Sequence, residues 1–307
     1  MIHHNLFGAS RPASAAARNH PSPGTGLSPL PGFPFTAAAS RGHIAVATRI
    51  ARRTGHAYGF LQKVLGVAPK LRLLVLDATD WSHYADAPAY GITHFTTDGH
   101  FVVGAEPAAA WNDVSRYFAL GLPAADLRAL VAALGRDPMF AAGPDLASVA
   151  DTLVAHDLAH LMTAQAGASF GRRCLSEAFA NYALVAVLGE TDPDGLHRLS
   201  ALADAALLLA DATPTLREFD AGCGTLDPVS SVLAHLALTR SVFLAYAAAR
   251  AQPLARWFAI ACAAGRRKSP PDADHELGRL LTREVHPAIG HLALHCAAGR
   301  APALRAA

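Results

Sequence analysis

Two histidines four residues apart are the first residues in this sequence whose types and spacing suit a metal site. His156 and His160 fall in a stretch, residues 145–166, whose apolar positions recur at helical spacing. In an α-helix, side chains at i and i+4 lie on one face, about 6 Å apart along the axis, so both imidazoles can reach one metal ion. Because two histidines hold zinc poorly, a third ligand is required.

Glu177 is the candidate for that third ligand. It follows Ser176, which can cap a new helix, so the carboxylate falls in the first turn of that helix. The connection between the two predicted helices is short and contains Gly167 and Gly171. A turn there brings the second helix back against the first and places Glu177 opposite the histidines. The residues therefore predict a zinc site.

This arrangement resembles that of the gluzincin metallopeptidases, the thermolysin and M1-aminopeptidase type. His156-x-x-x-His160 matches their two-histidine helix, and residues 177–182, EAFANY, match the segment E-G/A-F-A-x-Y that carries their glutamate ligand. The resemblance extends over about residues 44–250 and is specific at about a dozen positions. It implies a zinc-dependent peptidase that acts on a peptide or protein substrate.

The resemblance also implies the roles of three further residues. Asp157 stands where the family has a glutamate, the general base that takes a proton from zinc-bound water. Aspartate is one methylene shorter, about 1.5 Å of reach, so a weakened or altered activity is one expectation. His235 is the position expected to stabilise the oxyanion. His94, in the predicted edge strand, is expected to project toward the substrate cleft.

Two alternative functions are compatible with the same residues. One is a zinc-binding pseudo-peptidase that keeps the metal as a structural ligand while Asp157 no longer supports turnover. The other is a metal phosphohydrolase of the HD-domain type, because His156-Asp157 also resembles the adjacent His and Asp of that family. The HD fold is entirely helical, and the predicted hairpin upstream argues against it.

The elements that must position these residues divide the chain into three parts. Residues 1–41 are rich in Pro, Gly, Ser and Ala without a sustained period, which predicts a disordered arm. Residues 42–265 form the predicted catalytic domain, and residues 266–307 a helical extension. The fold class predicted is α+β and zincin-like: a small N-terminal sheet with a hairpin at its edge, followed by a mostly helical part.

The sheet is predicted from two stretches. Residues 71–76, LRLLVL, are apolar and β-prone and indicate a buried strand. Residues 90–96 and 100–105 are rich in β-branched and aromatic residues and flank Thr97-Asp98-Gly99, a hairpin signature. Helices are predicted at residues 42–65, 108–120, 124–134, 145–166, 176–189, 193–210, 228–250 and 254–264.

Composition excludes several classes of function. The 307 residues carry a formal charge of +2, and the 26 basic residues form no stripe, so we expect no nucleic-acid partner. The apolar runs are interrupted by charges before the ~18 to 20 residues of a membrane span, so no membrane partner is expected. The four cysteines form no C-x-x-C pair, which predicts a reduced, cytoplasmic protein. Abundant Ala and Arg suggest a high-GC bacterial source, and the oligomeric state stays open.

Overall fold

The computed structural model describes six stretches of the chain: residues 26–86, 89–96, 99–209, 213–222, 226–266 and 273–298. Most of the arm predicted for residues 1–41 lies outside these stretches. The described residues combine a small sheet at the N-terminal end with a larger helical part, an α+β arrangement.

The sheet has five strands in the order β1-β2-β3-β5-β4. The strands are β1 (Ser28–Pro29), β2 (Thr36–Ala39), β3 (Arg72–Leu76), β4 (His94–Phe95) and β5 (His100–Gly104). The three central strands are parallel, whereas β1 and β4 pair antiparallel at the two edges. The predicted boundary at residue 41 is therefore wrong for β1 and β2, which belong to the sheet. The predicted strand at 71–76 and the hairpin are confirmed, although Thr97 and Asp98 lie outside the described residues.

The two faces of the sheet are covered by different partners. Leu73 and Val75 of β3 belong to the main apolar core with the helices, whereas Leu74 and Leu76 face the opposite side and pack against Trp81. This alternation follows from the two-residue period of a strand. Whether a residue occupies an odd or an even position of the strand therefore decides whether its side chain faces the helical part.

Thirteen helices are described. They are α1 (Ile44–Leu65), α2 (Ala78–Tyr84), α3 (Ala110–Gly121), α4 (Ala124–Leu134), α5 (Ala147–Ala150), α6 (Val154–Gln165), α7 (Arg173–Thr191), α8 (Pro193–Leu207), α9 (Leu216–Gly222), α10 (Pro228–Ala249), α11 (Gln252–Gly265), α12 (Ala273–Glu284) and α13 (Pro287–Ala298). The helix predicted at 145–166 is two helices, α5 and α6, joined by a turn at residues 151–153. Helix α7 begins three residues before the predicted cap at Ser176. Helices α2 and α9 were not predicted.

Helix α10 runs through the interior of the helical part. It packs against α7 and α8, and its buried residues come from all sides of the helix. By length and composition it could cross a membrane, and Arg240 interrupts its apolar run. Since 67% of that apolar window is buried against the rest of the protein, α10 has the character of a core helix.

A disulfide joins Cys174 on α7 to Cys296 on α13. The prediction of a fully reduced chain is wrong for this pair, because residues 122 apart in sequence meet only through tertiary packing. Cys262 is a free cysteine, and Cys223 lies outside the described residues. The bridge fixes the first turn of α7 to the C-terminal helical part. The cytoplasmic localisation stays a prediction.

Candidate metal centre

Three predicted ligands meet at one point between α6 and α7. His160 Nε2 lies 3.1 Å from His156 Nε2 and 3.0 Å from Glu177 Oε2. His156 Nε2 lies 3.3 Å from the same carboxylate oxygen. The i, i+4 spacing on α6 stacks the two imidazoles on one face, and α7 returns antiparallel beside them. The three donor atoms therefore form a nearly equilateral triangle.

The size of this triangle suits a small divalent cation. Zinc binds imidazole nitrogen and carboxylate oxygen at about 2.0 to 2.2 Å, so two donors of a tetrahedral site lie about 3.3 Å apart. The three observed separations of 3.0 to 3.3 Å fall close to this value. The donor set, two imidazoles and a carboxylate, is one that zinc prefers.

His235 on α10 joins this cluster. Its ring centroid lies 5.6 Å from that of His156, and donor atoms of His156, Glu177 and His235 all lie within 4.8 Å of one another. The sequence predicts a catalytic role for His235, but its position beside His156 makes it a candidate metal ligand. A buried group of His156, Glu177 and His235 could hold a metal ion. With His160 included, four side chains from α6, α7 and α10 converge at this point.

The four converging side chains are almost fully buried. His156, His235 and Glu177 are 0%, 1% and 2% exposed, and His160 at 7% is the most accessible. Burying ionisable groups is costly unless each finds a partner of opposite charge or a metal. The cluster therefore belongs to the interior of the protein, with His160 as its most accessible member.

The N-terminal turn of α7 is held so that Glu177 points at the histidines. Asp220 of α9 accepts a hydrogen bond from the backbone N–H of Cys174 at 3.0 Å, which caps the helix from outside. Arg173 Nε lies 3.5 Å from Glu177 Oε1, one helical turn away. Arg173 thus contacts one oxygen of the carboxylate while the other, Oε2, faces the imidazoles.

Asn181, one turn after Glu177, orients the ring of His156 and contacts the backbone of His235. Its Oδ1 lies 2.9 Å from His156 Nδ1, and its Nδ2 donates to the backbone carbonyl of His235 at 3.1 Å. A hydrogen bond from His156 Nδ1–H to the amide oxygen leaves Nε2 unprotonated and directed at the cluster. Such partners fix the tautomer of a metal-binding histidine.

The electrostatics of the cluster favour an anionic Glu177 carboxylate and a neutral His235 imidazole. Burial alone raises the pKa of the Glu177 carboxyl, but the electrostatic pull of His160 and the contacts with both α6 imidazoles outweigh it, so the pKa lies well below its usual range. Burial holds the pKa of His235 well below its usual range, against the pull of the Glu177 carboxylate. Both shifts favour the protonation states that a metal ligand needs.

Asp157 lies on a different side of α6, toward the sheet. Its Oδ2 accepts a hydrogen bond from Thr93 Oγ1 at 2.5 Å. Burial raises the pKa of the Asp157 carboxyl to about 6, although nearby His156 and the Thr93 hydroxyl counteract part of that rise. Asp157 is 100° from His156 around the helix axis at 3.6 residues per turn, which explains why the two neighbours face different partners.

His94 does not reach the cleft that the sequence predicts for it. It pairs across the hairpin with Val102, so both side chains lie on the sheet face opposite α6. There its ring packs edge-on against Trp81, with centroids 5.5 Å apart, and its Nδ1 lies 2.8 Å from the carbonyl oxygen of Ile92. The substrate-binding role of His94 stays a prediction, and its neighbour Thr93 is the residue that faces Asp157.

Two residues in the site, Thr93 and Asn181, make contacts that the sequence did not specify. Asn181 lies within the EAFANY segment, at i+4 from Glu177, so its shared helix face was a usable signal. Thr93 carries no comparable signal, since its contact with Asp157 spans 64 residues.

Comparison with known proteins found no match to this chain. No family model matches the chain, and neither the curated protein sequences nor the solved structures contain a significant match.

Proposed function

We propose that this protein is a zinc-dependent hydrolase that cleaves peptide bonds. The observation that carries the proposal is the triangle of donor atoms from His156, His160 and Glu177, whose edges suit tetrahedral zinc. The histidine pair and the glutamate stand at the positions in which the sequence resembles the gluzincin metallopeptidases. A zincin-like arrangement of sheet edge and metal helix is part of this proposal.

Each residue has a defined task in this reaction. His156, His160 and Glu177 would hold the ion, which supplies Lewis acidity and lowers the pKa of bound water to about 7. Asp157 would accept the proton of the attacking water at Oδ1, since its Oδ2 is held by the Thr93 hydroxyl. The same carboxylic acid would then return the proton to the leaving amine.

The sheet edge supplies a site for an extended peptide. Strand β4 is the outer strand on the side of α6, and Thr93 at its start contacts Asp157. An outer strand offers unpaired backbone groups that an extended chain can meet by adding a further strand. A peptide held there would run past the side of α6 that carries Asp157.

The proposal is tested by peptide cleavage with variants of Asp157. Zinc-loaded wild type is expected to cleave members of a quenched fluorescent peptide library, to lose activity with a chelator and to regain it with zinc. Asp157→Asn should lower the rate by about 10²- to 10⁴-fold while zinc content stays full, and Asp157→Glu should retain or raise it. Asp194→Asn, at an exposed acid on α8, is the matched control.

A second candidate is a zinc-binding protein without turnover. The burial of the ligands, all 7% exposed or less, favours it, because a catalytic metal needs a position open to water and substrate. If zinc is stoichiometric while wild type, Asp157→Glu and Asp157→Asn all leave the library intact, the peptidase proposal is wrong and this candidate replaces it.

The HD-type phosphohydrolase has little support from the geometry. That chemistry needs the aspartate next to the histidine as a metal ligand, whereas the carboxylate of Asp157 is hydrogen-bonded to Thr93 and lies outside the group of His156, Glu177 and His235. Manganese-dependent phosphatase activity would reverse this ranking.

A further inference from the structure

Three arginines line a cavity that adjoins the Asp157 side of α6. The cavity, about 370 Å³ in volume, lies between the edge of the sheet, α1 and α8. Thr93 forms part of its wall, as do Arg49 and Arg53 from α1 and Arg198 from α8. None of the four candidate metal ligands lines it, so it is distinct from the metal centre.

One of the three arginines has a carboxylate partner within hydrogen-bond distance. Arg49 contacts Asp151 Oδ2 through Nε at 3.0 Å and through Nη2 at 2.8 Å. This pair crosses from α1 to the turn between α5 and α6 and neutralises one charge on the cavity wall. Arg49 therefore anchors the wall, whereas the other two arginines have no carboxylate within hydrogen-bond distance.

Arg53 and Arg198 share one distant carboxylate. Their Nη2 atoms lie 3.7 Å and 3.9 Å from Asp192 Oδ2, both beyond hydrogen-bond distance. The other oxygen of Asp192 accepts the backbone N–H of Gly195 at 2.9 Å, which caps the N-terminus of α8. Asp192 is thus held in the cap and cannot turn fully toward either guanidinium.

Both guanidinium groups also keep donors without an acceptor. Arg53 Nη1 and Arg198 Nε are buried and have no hydrogen-bond partner in the described part of the chain. Buried donors in folded proteins nearly always have a partner, so donors of this kind mark a place where water, an ion or a ligand supplies the acceptor. Here two such donors belong to neighbouring cations on the wall of one cavity.

We propose that this cavity binds a small oxyanion, a carboxylate or phosphate group, between Arg53 and Arg198. The planar guanidinium fork matches the paired oxygens of both groups. The volume suits a small molecule or the anionic end of a longer one. Glu106, the other acid on the wall besides Asp151, is exposed and lies at the solvent rim. The proposal is independent of whether the protein cleaves peptides.

The test measures anion binding to the full chain by titration calorimetry at constant ionic strength. Inorganic phosphate and succinate are the two probes, and chloride is the reference anion. Saturable binding of one probe to the wild type is expected. Tighter binding of succinate identifies a carboxylate ligand, and tighter binding of phosphate identifies a phosphate ester.

Arginine variants test whether the anion binds at Arg53 and Arg198. Arg53→Gln and Arg198→Gln are each expected to weaken binding at least tenfold, whereas Arg279→Gln, at an exposed arginine on α12, should leave it unchanged. Arg53→Lys keeps the charge but removes the fork, so it should weaken binding while preserving the fold. If neither probe binds the wild type, or if all arginine variants bind as well as the control, the proposal is overturned. Peptidase activity does not enter either readout.

Discussion

Helix α6 lies between two buried carboxylates, Glu177 of α7 and its own Asp157, whose surroundings differ in almost every respect. On the side facing α7 and α10, Glu177 lies among three imidazoles, and the pKa of its carboxyl lies well below its usual range. On the side facing the sheet, Asp157 meets one hydroxyl, Thr93, and burial raises the pKa of its carboxyl to about 6. Both residues are nearly inaccessible, at 2% and 4% exposure, so burial does not account for the difference.

The difference lies in the neighbours that compensate for lost hydration. Imidazoles and a nearby guanidinium stabilise a permanent negative charge at Glu177, as a metal ligand requires. At Asp157, nearby His156 and the Thr93 hydroxyl offset the effect of burial only in part, so its carboxyl can take up or release a proton more readily. One side of α6 is suited to binding a cation, and the other holds a carboxyl that can take up or release a proton.

The largest expected difference between the two sides appears in zinc affinity when each carboxylate is replaced by its amide. Glu177→Gln removes the one anionic donor from the cluster, so the zinc dissociation constant should rise by more than about a hundredfold, beyond the range for a merely supporting residue. Asp157→Asn should leave zinc affinity within about threefold. Both constants are measured by competition with a chromophoric chelator at pH 7.

Glu190→Gln, at an exposed glutamate of α7, is the control for the first of these substitutions. Equal losses of zinc affinity in the Glu177 and Asp157 variants would show that the two sides of α6 form a single site.

Asn181 offers the next test, because it acts through other residues. Asn181→Leu removes the acceptor for His156 Nδ1 and the donor to the carbonyl of His235, so zinc affinity should fall by about 10- to 100-fold. Asn181→Asp keeps the acceptor and should recover most of the affinity. Zinc affinity of the leucine variant equal to that of the wild type would remove Asn181 from the metal centre.

Substitutions of Thr93 test the contact with Asp157 on the sheet side of α6. Thr93→Val leaves the buried Asp157 carboxylate without this donor, so the free energy of unfolding should fall by about 1 to 3 kcal/mol. Thr93→Ser retains the hydroxyl and should lose much less. Urea unfolding of zinc-free protein measures both, and zinc affinity of the two variants should match that of the wild type. A loss of zinc affinity in the valine variant would contradict the separation of the two sides.

The sequence predicted the parts of the site that depend on local geometry. The spacing of His156 and His160 fixes their common face once the helix forms, and Glu177 follows from a short return connection. The arrival of His235 at the same point depends on how α10 packs against α7, which no local pattern encodes. The apolar surface of α10 extends around the whole helix, so its pattern marks no preferred face.

The errors in the sheet have two physical origins. Strands β1 and β2 are short and composed of Ser, Pro, Thr and Ala, so their pairing with each other and with β3 depends on tertiary contacts that outweigh weak strand propensity. His94 lies on the sheet face away from α6, and because a strand alternates at every residue, an error of one position moves a side chain across the sheet. The disulfide between α7 and α13 likewise has no local signal.

Substitution of Arg173 should have the smallest effect on zinc affinity, and it tests how far the metal-binding side of α6 extends along α7. It is one third exposed, and its Nε lies 3.5 Å from Glu177 Oε1, so the interaction is screened by solvent and is expected to contribute less than about 1 kcal/mol. Arg173→Gln should accordingly weaken zinc binding less than about fivefold, and high salt should shrink the difference from the wild type. If its loss instead equals that of Glu177→Gln, the low pKa of Glu177 depends on this guanidinium rather than on the imidazoles, and the metal-binding side of α6 extends to the first turn of α7.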